Sequence, residues 1–265
     1  MLHILIKLGG SVITYKDAYP PRANLSCIQR LAQEIRDVWQ EGKINLMVVH
    51  GAGCFGHIPA HQYRMTQESW HENKRQGAVK IRQFMHDLNQ SVVGELVNSG
   101  LPAIPFQPSA SCLMENKKLL TFPVDIISKY MALGIIPVAY GDIALDTKTG
   151  IDILSGDQIV AYIARTVHFD RIVMGSDVDG VFSEDPKKNP HAALIPEITR
   201  ENATMVLHGL TGSQHIDVTG GMEQKIQELL SLVSTNKTIA IVNALEKGRV
   251  KKALSGFDFV GTCIK

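Results

Sequence analysis

Two glycine-rich loops in the first half of the chain have the composition of anion-binding loops. Lys7 ends an apolar run and is followed by Gly9, Gly10 and Ser11. A cation therefore stands beside backbone N–H groups that no bulky side chain shields. Residues 50–57, His-Gly-Ala-Gly-Cys-Phe-Gly-His, repeat this arrangement after a second apolar run. Two such loops suit two separate phosphate groups; a pair of tight turns without a ligand is the alternative interpretation.

Two further loops of this kind lie in the second half of the chain. Residues 175–182 read Gly-Ser-Asp-Val-Asp-Gly-Val-Phe, and residues 217–222 read Asp-Val-Thr-Gly-Gly-Met. Gly220 and Gly221 stand where a helix is predicted to begin, so free N–H groups and the positive end of the helix dipole would face a nucleotide phosphate. Lys225 follows about one turn later and would reach the same phosphate, unless it is an ordinary surface lysine.

The second loop also matches a dinucleotide-binding pattern. Gly51, Gly53 and Gly56 give G-x-G-x-x-G after a predicted strand. That pattern needs an acidic residue at the end of the next strand, whereas residues 68–75 are polar and helix-like. A G-x-x-x-x-G-K-S/T sequence is absent as well. A dehydrogenase and an ordinary P-loop kinase are therefore both disfavoured.

The loops are separated by alternating strand-like and helix-like segments. Short apolar runs predict strands at residues 3–8, 44–49, 103–107, 135–140, 171–174 and 239–242. Apolar residues three or four apart predict helices at residues 25–39, 69–98, 155–167 and 219–232, before a closing helix and strand. This alternation predicts an α/β fold, with a mainly parallel sheet covered on both faces and its ligand loops at the carboxyl ends of the strands. The polar stretch 142–152 is either a lobe boundary or a hairpin, and residues 110–118 carry no interpretable motif.

Length and composition narrow the class of protein. The 265 residues carry a formal net charge of +1 with no basic stripe, so a nucleic-acid partner is not expected. The most apolar later stretch, residues 131–140, is interrupted by glycine and proline, and we expect neither a membrane span nor export. The cysteines are scattered and form no C-x-x-C pair, which favours reduced thiols in a cytoplasmic protein: Cys27, Cys54, Cys112 and Cys263.

Taken in order, these motifs resemble the amino acid kinase superfamily, and within it the isopentenyl phosphate kinases. The motifs are residues 7–11, Lys16, residues 50–57, 155–157, 177–181 and 217–222, and Lys225. The resemblance spans nearly the whole chain. It implies an open αβα sandwich in one domain, 1–265, with an acceptor lobe over about 1–150, an ATP-binding lobe over 151–265, and assembly as a homodimer.

The resemblance also implies catalytic roles. Lys7 would contact the ATP phosphates, Lys16 would stabilise the transition state, Asp157 would orient the lysines, and His57 would donate a hydrogen bond to the acceptor phosphate. Phosphoryl transfer fits this set because catalysis rests mainly on cationic stabilisation and positioning. An acceptor that is already an ionised phosphate needs no strong general base.

Binding residues follow from the same resemblance. Nucleotide contacts are expected from Lys7, Gly9, Gly10, Ser11, Gly53, Asp177, Asp179, Gly180, Gly220, Gly221 and Lys225. Acceptor contacts are expected from Ala52, Gly53, His57 and Gly156, with Ile81, Phe84 and Met85 as an apolar wall for the tail, although core packing is an equal alternative for those three. ATP and Mg²⁺ are the implied cofactors, and no protein ligand for the metal is predicted.

The implied reaction is phosphorylation of isopentenyl phosphate by ATP to give isopentenyl diphosphate. A fosfomycin kinase, or another small-anion kinase of the superfamily, is the enzymatic alternative. A nucleotide-sensing regulatory module without catalysis is the non-enzymatic one. The combination of Lys7, Lys16, Asp157 and Lys225 favours an enzyme.

Overall fold

The structure is a computed structural model that describes residues 1–42, 44–66, 72–184, 186, 189, 191–210, 229–230, 232, 238–256 and 258–265. Its strands are β1 (Leu2–Leu8), β2 (Ile44–His50), β3 (Ala103–Pro105), β4 (Leu113–Glu115), β5 (Lys118–Thr121), β6 (Ile136–Tyr140), β7 (Asp142–Asp146), β8 (Gly150–Leu154), β9 (Arg171–Ser176), β10 (Val181–Phe182), β11 (Leu194–Ile195), β12 (Glu197–Ile198), β13 (Thr238–Asn243) and β14 (Gly261–Ile264). Its helices are α1 (Gly10–Ile13), α2 (Leu25–Trp39), α3 (Cys54–Gln62), α4 (Glu72–Asn98), α5 (Val124–Ala132), α6 (Gly156–Thr166), α7 (Ala203–Leu210) and α8 (Arg249–Ser255).

The central sheet has eight strands in the order β12-β14-β13-β9-β1-β2-β6-β3. Parallel pairing joins β1 to β2 and β9, β2 to β6, and β9 to β13, while β14 runs antiparallel to β13. Leu8 at the end of β1 lies opposite both His50 and Gly175. The predicted α/β fold with a mainly parallel sheet is confirmed, and the loops after four neighbouring strands meet at one carboxyl edge.

Helices cover both faces of this sheet. Ile4 and Ile6 of β1 pack in a core that includes buried residues of α2, α4 and α8. Leu5, which alternates with them, packs in a second core with residues of α5 and α6. Strands buried on both faces read as continuous apolar runs, which is why β1 and β2 could be recognised from the sequence.

Helix α2 agrees with its prediction because local sequence features define where it begins and ends. Helix α2 occupies Leu25–Trp39, the predicted range, because its apolar stripe is buried and the Asn24 side chain accepts a hydrogen bond from Cys27 N–H at 3.3 Å. Most of the helix predicted at 219–232 lies outside the described residues. None of the helices in the described ranges combines the length and hydropathy that a membrane crossing needs.

A small second sheet contains both segments that the sequence left open. Strands β7 and β8 form an antiparallel hairpin within the polar stretch 142–152 and its flank, and β4 and β5 arise from residues around 110–118. The strand order is β5-β4-β7-β8. The stretch is therefore a hairpin that joins a neighbouring hairpin through β4 and β7.

Asp146 at the end of β7 ties these two hairpins together. Its carboxylate accepts hydrogen bonds from four backbone N–H groups, at 3.2, 2.7, 2.8 and 3.0 Å, those of Asn116, Lys117, Lys148 and Thr149. Burial raises the pKa of this carboxyl, but the four donors outweigh burial and lower the pKa to about 2.

Replacing this carboxylate should destabilise the fold in a pH-dependent way. Asp146→Asn is expected to lower the free energy of unfolding by about 2 kcal/mol at pH 7. Because the folded pKa is depressed, the stabilisation is complete above about pH 4 and is lost as the pH falls towards 2, so the difference should shrink to about half by pH 3. Urea unfolding at several pH values measures it, with the exposed Asp87→Asn as control. A difference that stays constant from pH 7 to pH 3 would contradict this assignment.

Candidate active site

Backbone hydrogen bonds join the loops along the carboxyl edge. Gly9 N–H donates to the Gly175 carbonyl at 2.9 Å, and Gly51 N–H donates to the Leu8 carbonyl at 2.9 Å. Gly141 N–H donates to the carbonyl of residue 50 at 3.0 Å. The first residue after each of β1, β2 and β6 is therefore bonded to the end of a neighbouring strand.

The first two glycine loops touch backbone to backbone. A Cβ added at Gly10 would lie 2.2 Å from the nitrogen of Gly53, and one added at Gly51 would lie 2.6 Å from the nitrogen of Gly10. Gly53 has a φ of +51°, and a Cβ added there would collide with Thr14 Oγ1. These glycines were predicted to allow approach of a ligand, and the structure shows that contact between the loops requires them as well.

Lys7 lies where these loops meet helix α6. Because side chains alternate along β1, Lys7 shares with Leu5 the sheet face that α6 covers. Its side chain is only 9% exposed, and its ammonium lies 2.5 Å from Asp157 Oδ1 in the first turn of α6. Ser155 caps that helix by accepting from Gln158 N–H at 3.1 Å. The structure thus brings together two predicted catalytic residues that are 150 positions apart in the chain.

Helix α3 begins directly at the second loop. Thr14 Oγ1 accepts from Cys54 N–H at 3.3 Å and donates to the Gly10 carbonyl at 2.8 Å, so one hydroxyl joins both loops. His57 lies exposed on the first turn of α3, where its backbone N–H donates to Gly53 O at 3.0 Å. The positive end of this helix therefore faces the region between the loops.

Lys16 lies in the loop that follows α1, the short helix that begins at Gly10. Tyr15 N–H donates to the Arg22 carbonyl at 3.1 Å, and Thr14 pairs with Ala23, so the loop closes on itself. Lys16 is exposed within it. Its predicted role in catalysis stays a prediction.

The third glycine loop is held from beneath. Asp179 Oδ1 accepts from Asn243 Nδ2 at 2.9 Å and from Arg249 Nη1 at 2.6 Å, which ties the loop to the end of β13 and the start of α8. A Cβ at Gly180 would lie 2.5 Å from Thr262 Oγ1. These contacts support a role in shaping the turn. Asp177 is half-buried in the same loop.

The fourth loop cannot be compared with its prediction. Gly220, Gly221 and Lys225 lie outside the described residues. Their predicted contacts with a nucleotide therefore stay predictions.

The three apolar candidates on α4 differ in exposure. Ile81 and Met85 are buried in the core, whereas Phe84 is half-buried with its ring edge-to-face against Phe55 at 6.4 Å between centroids. Met85 Sδ lies 3.7 Å from the position a Cβ would take at Gly56. The α4 face thus packs behind the second loop, and of these three residues only Phe84 presents partly exposed apolar surface.

Comparison with known proteins identifies the family of this chain. The sequence profile described as "Amino acid kinase family" matches residues 3–243. The chain belongs to the amino acid kinase family. It is 36% identical to the isopentenyl phosphate kinase of Methanothermobacter thermautotrophicus over 98% of each chain, and 33% identical to that of Methanocaldococcus jannaschii over 95% of each. An X-ray structure of isopentenyl phosphate kinase superposes with a TM-score of 0.84 at 34% identity, covering 99% of this chain and 100% of that one.

One buried cluster in this amino acid kinase was missed by sequence reasoning, which treated residue 50 only as the start of a loop. His50 is fully buried between Gly51 O, 2.9 Å from Nδ1, and Asn89 Nδ2, 3.1 Å from Nε2. Its ring stacks on Tyr140 at 5.2 Å between centroids. The alternation of Leu46, Val48 and His50 along β2 could have indicated that residue 50 faces the core.

Among the residues that the structure describes, no three His, Cys, Asp or Glu side chains lie together in a group that could hold a metal ion.

Proposed function

We propose that this member of the amino acid kinase family transfers the γ-phosphoryl group of ATP to isopentenyl phosphate, giving ADP and isopentenyl diphosphate. The observation that carries the proposal is the ion pair of buried Lys7 with the partly exposed Asp157, 2.5 Å apart, beside two glycine loops in backbone contact. The relatives named isopentenyl phosphate kinase share 36% and 33% identity over 98% and 95% of the chain, which supports this acceptor among those of the family.

The chemistry of the transfer suits this pair. Negative charge spreads over the moving phosphoryl group, so a fixed ammonium in a region shielded from water stabilises the transition state. Lys7 supplies that ammonium, and Asp157 holds it in place through a charge-assisted hydrogen bond. An ionised acceptor phosphate attacks without losing a proton to a base. Lys16, on its exposed loop, adds a further positive charge that stabilises the transition state.

The acceptor phosphate belongs at the start of α3 and α6. His57 donates to it from the first turn of α3, and the backbone N–H groups of Ala52 and Gly156 contribute further donors. The nitrogens of Ala52 and Gly156 would lie 3.8 and 3.2 Å from a Cβ at Gly141, so the two lie on the same side of that glycine. The apolar tail would lie towards Phe84, with Ile81 and Met85 behind it.

ATP is the phosphoryl donor and binds mainly to the lobe formed by residues 151–265. The acceptor binds mainly to the lobe formed by about 1–150. The nucleotide phosphates contact the loops at Gly9, Gly10, Ser11 and Gly53 and those at Asp177, Asp179, Gly180, Gly220, Gly221 and Lys225. Mg²⁺ would enter with the nucleotide and would neutralise negative charge on its phosphates. We further propose a cytoplasmic homodimer.

A panel of acceptors tests the assignment. The purified protein is incubated with ATP, Mg²⁺ and, separately, isopentenyl phosphate, fosfomycin, UMP, acetylglutamate or carbamate, and ADP formation is followed. We expect isopentenyl phosphate to give a kcat/KM at least 100-fold above any other acceptor. Turnover of fosfomycin or another acceptor without isopentenyl phosphate would refute the acceptor. ATP binding without turnover of any acceptor would favour a regulatory module.

A further inference from the structure

The imidazole of His50 is held at both nitrogens inside the core. The period-two alternation of β2 places His50 on the sheet face that α4 covers, where Asn89 reaches it across 39 positions of sequence. The neighbouring strand β6 contributes Tyr140, whose ring is nearly parallel to the imidazole at an interplanar angle of 11°. His50 is 0% exposed and Asn89 is 2% exposed. Water therefore cannot replace the hydrogen-bond partners of either side chain.

These partners determine the tautomer of His50. A backbone carbonyl can only accept, so Nδ1, 2.9 Å from Gly51 O, carries the proton. Asn89 Nδ2 can only donate, so Nε2, 3.1 Å away, is the unprotonated acceptor. The ring is therefore the neutral Nδ1–H form. In agreement, burial lowers the pKa of His50 to about 4, only partly opposed by the bond to Gly51.

The bond from His50 fixes the plane of one peptide in the second glycine loop. In a trans peptide the carbonyl oxygen and the following N–H point in opposite directions. Because the Gly51 oxygen is held towards the buried imidazole, the Ala52 N–H is directed away from it. Ala52 is partly exposed, and its nitrogen lies on the same side of Gly141 as the nitrogen of Gly156 at the start of α6.

We propose that His50 is a positioning residue, which holds the Gly51–Ala52 peptide so that the Ala52 N–H faces the acceptor phosphate. Asn89 in turn holds the imidazole in the tautomer that can do this. Gly51 would otherwise allow this peptide to rotate, since glycine has no Cβ to restrict the backbone torsion before it. This inference rests on the proposed function for the identity of the acceptor.

Two substitutions at this position separate the hydrogen bond from simple filling of space. The amide nitrogen of Asn can take the position of imidazole Nδ1, whereas that of Gln takes the position of Nε2. His50→Asn therefore keeps a donor for Gly51 O, and His50→Gln loses it. We expect His50→Gln to raise the KM for the acceptor at least tenfold, with the KM for ATP within about twofold of wild type. His50→Asn is expected to stay within about threefold for both.

The kinetic comparison uses whichever acceptor the wild-type enzyme phosphorylates, so it remains decisive even if isopentenyl phosphate is not that acceptor. Equal loss in the Asn and Gln variants, or an unchanged acceptor KM in the Gln variant, would overturn the proposal. If both variants fail to fold, ¹⁵N NMR of the wild-type histidines decides instead. We expect a neutral Nδ1–H ring for His50 from pH 7 to pH 5, and an Nε2–H or doubly protonated ring at pH 7 would overturn the assignment.

Discussion

Lys7→Met is expected to lower kcat/KM by about three orders of magnitude while the protein stays folded. The substitution keeps an unbranched side chain as far as Cε but removes the ammonium that lies 2.5 Å from Asp157. Loss of one well-placed donor to a transition-state charge costs about 10²- to 10³-fold, and loss of a cation at a transferring phosphoryl group costs more. Steady-state kinetics with ATP and isopentenyl phosphate measure the loss.

Stability must be measured alongside, because Lys7 is nearly buried. Asp157 remains 21% exposed, so water can solvate its carboxylate and the free energy of unfolding should fall by no more than about 2 kcal/mol. Lys129→Met, at an exposed lysine on α5, is the matched control and should leave kinetics and stability unchanged. If Lys7→Met keeps more than about a tenth of the wild-type kcat/KM, Lys7 has no part in the chemistry.

The second large effect is expected from Gly10→Ala. A methyl group at this position would lie 2.2 Å from the nitrogen and 2.7 Å from the Cα of Gly53, both backbone atoms that cannot turn aside. The first two loops must therefore separate. Overpacking of this kind costs about 1 to 3 kcal/mol of stability, and displacement of groups at a phosphoryl-transfer site by about 1 Å costs about 100-fold in rate.

Gly94→Ala provides the control for this substitution. Gly94 lies within α4, and a Cβ added there would have no neighbouring atom within 4 Å. Alanine is the better helix former, so stability should rise by up to about 1 kcal/mol with activity unchanged. Thermal unfolding and kinetics of the two variants, measured together, test the contact between the loops. Wild-type activity in Gly10→Ala would show that the loops tolerate separation.

Local patterns allowed much of the fold to be predicted. The three-to-four spacing of apolar residues and the Asn24 cap define α2 at Leu25–Trp39 without reference to the rest of the chain. The short apolar runs of β1 and β2 are recognisable for a similar reason, since buried parallel strands are apolar on both faces. The glycine loops after these strands, with Lys7 beside the first, were predicted at the edge where the structure has them.

Short strands with distant partners were harder to predict. The β4–β5 hairpin was unassigned, because strands of three and four residues carry little periodicity and depend on pairing with β7, about 30 residues away. No sequence pattern indicates that the Asp146 carboxylate accepts hydrogen bonds from four backbone N–H groups in two turns. Likewise, spacing on α4 could not decide which of Ile81, Phe84 and Met85 would be buried.

By itself the sequence determined the residue types of the site: glycines where backbones approach closely, lysines that are predicted to bind anionic phosphates, and the strands that carry them to one edge. Tertiary structure alone decided which side chains meet there. Lys7 contacts Asp157 across 150 positions, and His50 contacts Asn89 across 39. The physical reason is that alternation along a strand selects a face, but only the packing of a particular helix on that face supplies the partner.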